Sequence, residues 1–367
     1  MSEVQLFSTA IKLIIERKTS PEKAFDIAVK SLNHKVNRRK LFNKFLRVLW
    51  NYYYATFLYP ERDIEDIISV SLNSDFPFKP PKWAEERLQS IMGDLNVRTR
   101  QQWIRVNTLK ADVEDVRRKL ERKGVVLQKD SFEFLFRVIK TKGRISDLEE
   151  FKNGEILIQD KASVYSIIFL DPKPNEKILE IGCAPGIKTS LIQQITNNKS
   201  LVIGIDISSK RIKVQQDLMN KLGVENVELV IGDGSNVPIT KADKVLIDAP
   251  CTNSGTFVAD PSIFLRITKK DLMRLSRLQR NILWNIRKFK VPTVFSTCSL
   301  FPEEGEKIAE KYEAFLTPIS IDTTNYGYKR SKVWKRVVRF YPNIHGTEGF
   351  FIAKFNFSKN ITLDDQN

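Results

Sequence analysis

Two cysteines stand where chemistry could use them. Cys251 closes Asp248-Ala249-Pro250-Cys251, and Cys298 lies in Ser296-Thr297-Cys298-Ser299, each just past an apolar, strand-like run. A third such run, Ile178-Leu179-Glu180-Ile181-Gly182, opens into Cys183-Ala184-Pro185-Gly186-Ile187-Lys188-Thr189. Ligands of an open parallel sheet collect beyond the carboxyl ends of its strands, near the switch point in strand order. The spacing therefore predicts an acid, two thiols, a glycine turn and a lysine on one rim. A thiol with a pKa near ~8.5 is only a few per cent thiolate at neutral pH, so a reactive one needs positive charge beside it. Lys188 can supply that charge. Cys183 reads instead as a buried small hydrophobe.

One reaction draws on this whole set: methylation of a pyrimidine at C5. That carbon is a poor nucleophile until a thiolate adds at C6, and an acid such as Asp248 helps by protonating N3. A base must then take the C5 proton so that the thiolate can leave. Two cysteines beside one aspartate can divide the roles of nucleophile and release base. The methyl donor has its own signature. Gly182-x-x-x-Gly186 lets backbone approach a ligand, with Lys188 and Thr189 starting a helix. The pattern is neither the Gly-x-Gly-x-x-Gly of NAD enzymes nor a P-loop. Asp206 ends the next strand, where an acid grips the ribose of an adenosine, and Asp233 ends the third, within reach of an adenine ring. Either aspartate alone also serves as a loop cap; together they point to an adenosine cofactor.

These residues join Trp103-Ile104-Arg105-Val106-Asn107-Thr108-Leu109-Lys110, Gln159-Asp160-Lys161-Ala162-Ser163, Pro302-Glu303-Glu304 and His345-Gly346-Thr347-Glu348-Gly349-Phe350-Phe351. The set resembles the RsmB/Sun group of RNA cytosine-C5 methyltransferases. The resemblance implies an α/β fold with a Rossmann-like S-adenosylmethionine methyltransferase core over residues 159–360. An all-helical NusB-like RNA-binding domain (1–78) and a small α+β, RRM-like domain (79–158) would precede it, and residues 361–367 would form a disordered tail. It further implies that Cys298 attacks C6, Cys251 assists release, Asp248 holds the base and Lys188 lines the same pocket. S-adenosylmethionine would contact Gly182, Cys183, Ala184, Pro185, Gly186, Ile187 and Lys188, with Asp206, Arg211, Asp233 and Asp248, and no metal would take part. The implied substrate is RNA, ribosomal ahead of transfer RNA. Four positions depart from the family pattern. Glu180 replaces an aspartate, Gly182-Cys183 a Cys-Ala pair, Ile187 a glycine and Gly305 an asparagine; Ile187 is expected to narrow the cofactor turn. Two alternatives stay open: a DNA cytosine methyltransferase with Cys251 as nucleophile, and a catalytically silent RNA-binding factor of ribosome assembly.

The elements that must position these groups follow from composition and period. A chain of 367 residues exceeds one core, so two or three domains are expected. Lys and Arg number 60 against 44 Asp and Glu, a net +16 that attracts polyanions. Residues 1–60 carry 11 basic and 4 acidic side chains. No apolar run approaches ~20 residues, and charges interrupt the N-terminus, which argues against a membrane span or a signal peptide. Three cysteines without a Cys-x-x-Cys pair suggest a reducing cytoplasm, and with only His34 and His345 a zinc site is disfavoured. Val4, Phe7, Ile11 and Ile14 make a helical stripe, and Ala24, Ile27, Ala28 and Leu32 another. A helix from Arg39 to Leu58 carries Trp50, Tyr52, Tyr53, Tyr54 and Phe57, read as bundle core. Arg38, Arg39, Lys40, Lys44 and Arg47 on it are candidates for phosphate contact. Phe76 to Pro81 is a stiff linker. Phe132, Phe134, Phe136 and Val138 alternate as a strand. From Gln159 the pattern is doubly wound, with strands at 177–182, 201–206, 227–232, 244–248, 291–297 and, near a sheet edge, 350–357.

Overall fold

The computed structural model describes residues 2–31, 37–97 and 100–358. Leu32, His34 and the expected tail lie outside the described residues. The chain opens with four helices: α1 (Glu3–Arg17), α2 (Pro21–Val29), α3 (Arg38–Leu58) and α4 (Ile64–Asn73). A reciprocal capping box between Ser2 and Gln5 starts α1, while Ser20 caps α2 with Pro21 in its first turn. Leu6, Phe7, Ile11, Phe25, Phe45 and Ile68 form their shared core.

Of the aromatic run on α3, Tyr52 packs on the bundle core as expected, whereas Trp50 and Tyr53 do not. Trp50 turns out of the bundle onto Phe78 (ring centroids 4.7 Å apart) and Phe257 (6.4 Å), and the Tyr53 hydroxyl donates to the Phe264 carbonyl at 2.8 Å. Trp50 and Tyr53 thus fasten the helical unit to the C-terminal domain, while Phe57 stays 63% exposed. The stiff linker and α5 (Lys82–Met92) join the same cluster through Phe78, Ala84 and Leu88. Three of the five basic candidates on α3 are engaged within the unit. Arg38 pairs with Asp26, Lys44 with Glu3 at 2.8 Å, and Arg47 donates to the Ser74 carbonyl at 2.9 Å.

The next unit runs β1 (Gln102–Val106), α6 (Val113–Arg122), β2 (Val126–Lys129), β3 (Leu135–Lys140), α7 (Glu149–Lys152) and β4 (Ile156–Ile158). Its antiparallel sheet has the order β2-β3-β1-β4, the split βαβ arrangement. The aromatic alternation overreached: β3 begins at Leu135, so Phe132 and Phe134 precede it. They stack on each other (5.9 Å), and Phe132 meets Tyr165 of α8 (Lys161–Leu170) edge-on at 5.1 Å. Arg105 on β1 is fully buried and donates to Ser190 Oγ (2.6 Å) and the Ile187 carbonyl (3.3 Å), tying this sheet to the C-terminal domain.

The C-terminal domain is Rossmann-like. Parallel strands β5 (Lys177–Ile181), β6 (Leu201–Asp206), β7 (Val227–Ile231), β8 (Lys244–Asp248) and β9 (Pro292–Thr297) are joined by α9 (Ile187–Thr196), α10 (Ser209–Leu222), α11 (Ile263–Arg266) and α12 (Lys269–Ile286). After α13 (Glu306–Lys311) come β10 (Leu316–Thr317), β11 (Val338–Phe340), α14 (Pro342–His345) and β12 (Phe350–Asn356). The order is β10-β12-β9-β8-β5-β6-β7, with β11 also paired to β12. Alternate residues feed two cores: Leu179, Ile247 and Phe295 on one face, Ile178, Leu246 and Val294 on the other. Strand order reverses between β5 and β8, the position where such sheets open a crevice. Among the described residues no helix is long and apolar enough to cross a membrane.

Candidate active site

A cavity of about 420 Å³ opens at this crevice, lined by Gly182, Asp206, Arg211, Asp233, Asp248, Cys251 and Cys298 among others. All but Arg211, which reaches in from the first turn of α10, come from the end of a strand or the turn beyond it, as the rim argument predicts. Gly182 adopts φ +75°, and a Cβ there would lie 2.2 Å from the Asp248 carbonyl oxygen, so only glycine lets β5 pass β8 into the turn. The rest of the turn divides. Cys183 and Ala184 are buried and Pro185 is exposed. Ile187 packs on Leu157, Met219 and Leu222, away from the cavity, so it does not narrow the turn as expected. Lys188 reaches back and donates to Asp248 Oδ2 at 2.7 Å.

The two sulfurs meet. Cys251 Sγ lies 3.3 Å from Cys298 Sγ, and both approach Asn253 Oδ1, at 3.4 and 2.8 Å respectively. The Cys298 contact pushes the Cys251 thiol well above its ordinary pKa, and burial adds to the effect. Burial opposes the Lys188 ammonium, but the Asp248 charge and hydrogen bond raise it on balance. Ser296 Oγ donates to the other Asp248 oxygen at 3.3 Å. Cys183 is a different case: burial, then Glu180 and Asp206, raise its thiol. It is a structural thiol.

Asn253 and Arg339 escaped the sequence reading, and Glu304 entered it only as part of a motif, without a role. Asn253 holds φ +56°, a left-handed conformation that asparagine tolerates; an asparagine two residues past a reactive cysteine was the available signal. Arg339, fully buried, grips Glu306 through Nε–Oε1 (2.8 Å) and Nη2–Oε2 (2.6 Å) and donates from Nη1 to the Ser299 carbonyl (2.8 Å). A lone cation in the apolar run Val337-Val338-Arg339-Phe340 was its signal. The departure at Gly305 serves this pair, since a Cβ there would sit 2.6 Å from Arg339 Nη2. Buried Glu304 accepts from the Thr252 amide (3.0 Å), the Thr252 hydroxyl (2.5 Å) and Gln279 (3.0 Å), anchoring the Cys251 loop. Gly255 donates to the Cys298 carbonyl at 3.0 Å, and Gly349 to Gly255 at 2.9 Å, so three loops close around the nucleophile candidates.

The cavity suits an adenosine. Asp206 Oδ1 accepts from the Ser208 amide (2.9 Å), while Oδ2 is buried without a hydrogen bond and faces only the Arg211 guanidinium at 3.1 Å. A carboxylate oxygen left so is ready for a ribose hydroxyl. Asp233 stands at the same wall, its Oδ1 accepting from Ser235 N–H at 2.8 Å.

The chain is similar to several known proteins. The chain is 32% identical over 281 residues to 28S rRNA (cytosine-C(5))-methyltransferase of Mus musculus, 70% of this chain and 35% of that one. It is 36% identical over 226 residues to tRNA (cytosine(72)-C(5))-methyltransferase of Pyrococcus horikoshii, 59% of this chain and 56% of the other. The chain therefore spans about a third to just over half the length of these relatives. The solved structure of NSun6 from Pyrococcus horikoshii with SFG superimposes with a TM-score of 0.67 at 25% identity, covering 76% of this chain and 96% of that one. With residues 167–356, more than half of its length and all the strands that converge on the thiols, matching 16S rRNA methyltransferase RsmB/F, the chain belongs to that family.

Proposed function

We propose that the protein methylates C5 of a cytosine in RNA, with S-adenosylmethionine as donor, through a covalent bond between Cys298 and C6. The observation that carries this is the pair of sulfurs 3.3 Å apart in a cavity that also holds the Lys188–Asp248 pair. The family's relatives named for ribosomal and transfer RNA support the substrate class. Ribosomal RNA is favoured, on a NusB-like role for residues 1–78 beside an RRM-like unit at 79–158.

Asp206, Asp233, Arg211 and Gly182 at the start of the turn would hold S-adenosylmethionine, of which SFG is an analogue. When bound, it supplies an electrophilic methyl group and a positive charge beside the thiols. This chain's residues do the rest. The cytosine must be out of its stack, because C5 and C6 are attacked from above the ring. Asp248 orients the base at N3, and the Lys188–Asp248 pair delivers the proton N3 takes up as the Cys298 thiolate adds to C6. Asn253 accepts from the Cys298 thiol at rest, and a half-turn of its amide presents Nδ2–H to the thiolate. After C5 is methylated, Cys251, its own thiol proton released to solvent, takes the C5 proton, the C6–S electron pair returns to Cys298, and N3 gives its proton back to the Lys188–Asp248 pair. The influences that raise the pKa of Cys251 make it the stronger base.

A DNA cytosine methyltransferase working through Cys251 would leave Cys298 and its Asn253 contact without a role. The test uses labelled cofactor and bulk RNA: wild type incorporates tritium, Cys298→Ala does not, and Cys251→Ala accumulates a protein–RNA adduct. Binding without incorporation makes the protein a silent assembly factor; an adduct with Cys298→Ala reverses the two thiols.

A further inference from the structure

Helix α12 separates two cavities. Leu278 and Ile282 line the catalytic one, whereas Arg277, Arg280, Trp284 and Arg287, with Lys311, line a cleft of about 510 Å³ on its outer side. The two lie about one helix diameter, ~10 Å, apart. Among the described residues none of these four cations has a carboxylate within ion-pair distance, and the cleft lining contains no acid. Like charges gathered in a concavity without counter-charge repel one another and concentrate polyanions. Trp284 is 59% exposed, and the Arg287 guanidinium lies 4.4 Å from its ring centroid. One face of the indole is thus held while the rest is offered to solvent.

The cleft continues along α12 and α13. A neighbouring hollow of about 610 Å³ shares Arg280 and Lys311 and adds Lys269, Lys307 and Lys332. Its carboxylates are already engaged: Glu303 faces Arg87 and Lys307, and Glu310 accepts from Ser331. Clustered cations beside an open aromatic face suit a strand whose bases are unstacked, because a duplex hides the base faces that Trp284 could cover.

We infer that this trough binds single-stranded RNA flanking the target cytosine, with phosphates on Arg277, Arg280 and Lys311 and a base stacked on Trp284. It rests on the RNA substrate proposed above and adds where the strand runs after it leaves the cavity. The test is equilibrium binding of a fluorescent 12-nucleotide unstructured RNA to the full chain, followed by anisotropy across a salt series. Trp284→Ala is expected to weaken binding about tenfold. Arg277→Gln/Arg280→Gln should lower the slope of log K against log salt by about 1.4, two phosphate contacts at ~0.7 each. Thermal melts check that both variants fold. In a Cys251→Ala background at saturating RNA, neither change should alter the rate of adduct formation. Unchanged affinity and slope would overturn the assignment. Equal losses on duplex RNA would remove the stacking component and with it the single-strand claim. Loss of poly-glutamate binding without loss of RNA binding would make the trough a protein-docking face. Binding needs no turnover, so absence of any adduct with Cys251→Ala would remove the methyltransferase proposal and leave the trough standing.

Discussion

Replacing Arg339 by methionine tests how the nucleophile loop is held. Both side chains of the Arg339–Glu306 pair are 0% exposed, and the guanidinium makes three hydrogen bonds of 2.6 to 2.8 Å. Arg339→Met keeps an apolar stem but strands the Glu306 carboxylate in the core, still accepting from the Tyr328 amide at 2.8 Å. Breaking one side of a buried pair costs about 3–5 kcal/mol, much of it the desolvated partner left behind. For a domain of this size each kcal/mol moves Tm by about 2–4 °C, so the catalytic domain should melt about 6–20 °C lower. Arg339→Met/Glu306→Gln removes both charges and keeps an acceptor for Tyr328, so it should recover more than half of that loss. Calorimetry on wild type, the two single variants and the double variant closes the cycle. A loss under about 1 kcal/mol for Arg339→Met, or single-variant losses that merely add, would refute the claim that the two charges form one desolvated unit.

Three other outcomes follow from the geometry. Asn253→Gly keeps the left-handed backbone but removes the amide at the thiols; losing a hydrogen bond to a charged group, worth about 1.5–3 kcal/mol, should slow adduct formation about 10- to 150-fold. Stopped-flow quench with excess enzyme measures this, and a wild-type rate would deny Asn253 its role. Lys188→Met takes away the proton source beside Asp248 and should lower single-turnover methyl transfer at least about 100-fold, in the range of general-acid effects; a loss under tenfold would mean N3 is protonated from elsewhere. Glu180 carries a pH signature, because burial pushes its carboxyl up to about 8, the Thr189 hydrogen bond notwithstanding. An unfolded glutamate releases its proton near ~4.3, so the stability this group contributes is complete below that pH and fades until pH passes about 8. Urea midpoints from pH 5 to 9 should converge for wild type and Glu180→Gln at the acid end and favour the variant at the alkaline end. A constant difference would show that Glu180 does not hold its proton.

Much of the site was legible because strands and the groups at their ends are local properties of a chain. Runs such as Ile178–Ile181 and Val245–Ile247 carry their own signal, and the turn chemistry after them follows within a few residues. Strands too short to show a period were not legible: β4 has three residues and β10 two, and both owe their conformation to the neighbour they pair with. Helix α3 shows the other limit. Periodicity said which of its residues are apolar, but not that Trp50 and Tyr53 would face Phe257 and Phe264, some 200 positions away.

The order of residues alone determined the strand–helix alternation, the rim on which the acid, lysine and thiols end, and the kind of reaction those groups can share. Folding decided their mutual distances. Cys251 and Cys298 are 47 residues apart in the chain, and only the parallel pairing of β8 with β9 brings their sulfurs to 3.3 Å. It also decided what holds them there, since Arg339 and Glu304 act through contacts across β12 and α12 that no local pattern encodes. A pattern records what each segment prefers; whether two preferred segments meet depends on desolvation and packing summed over the whole molecule.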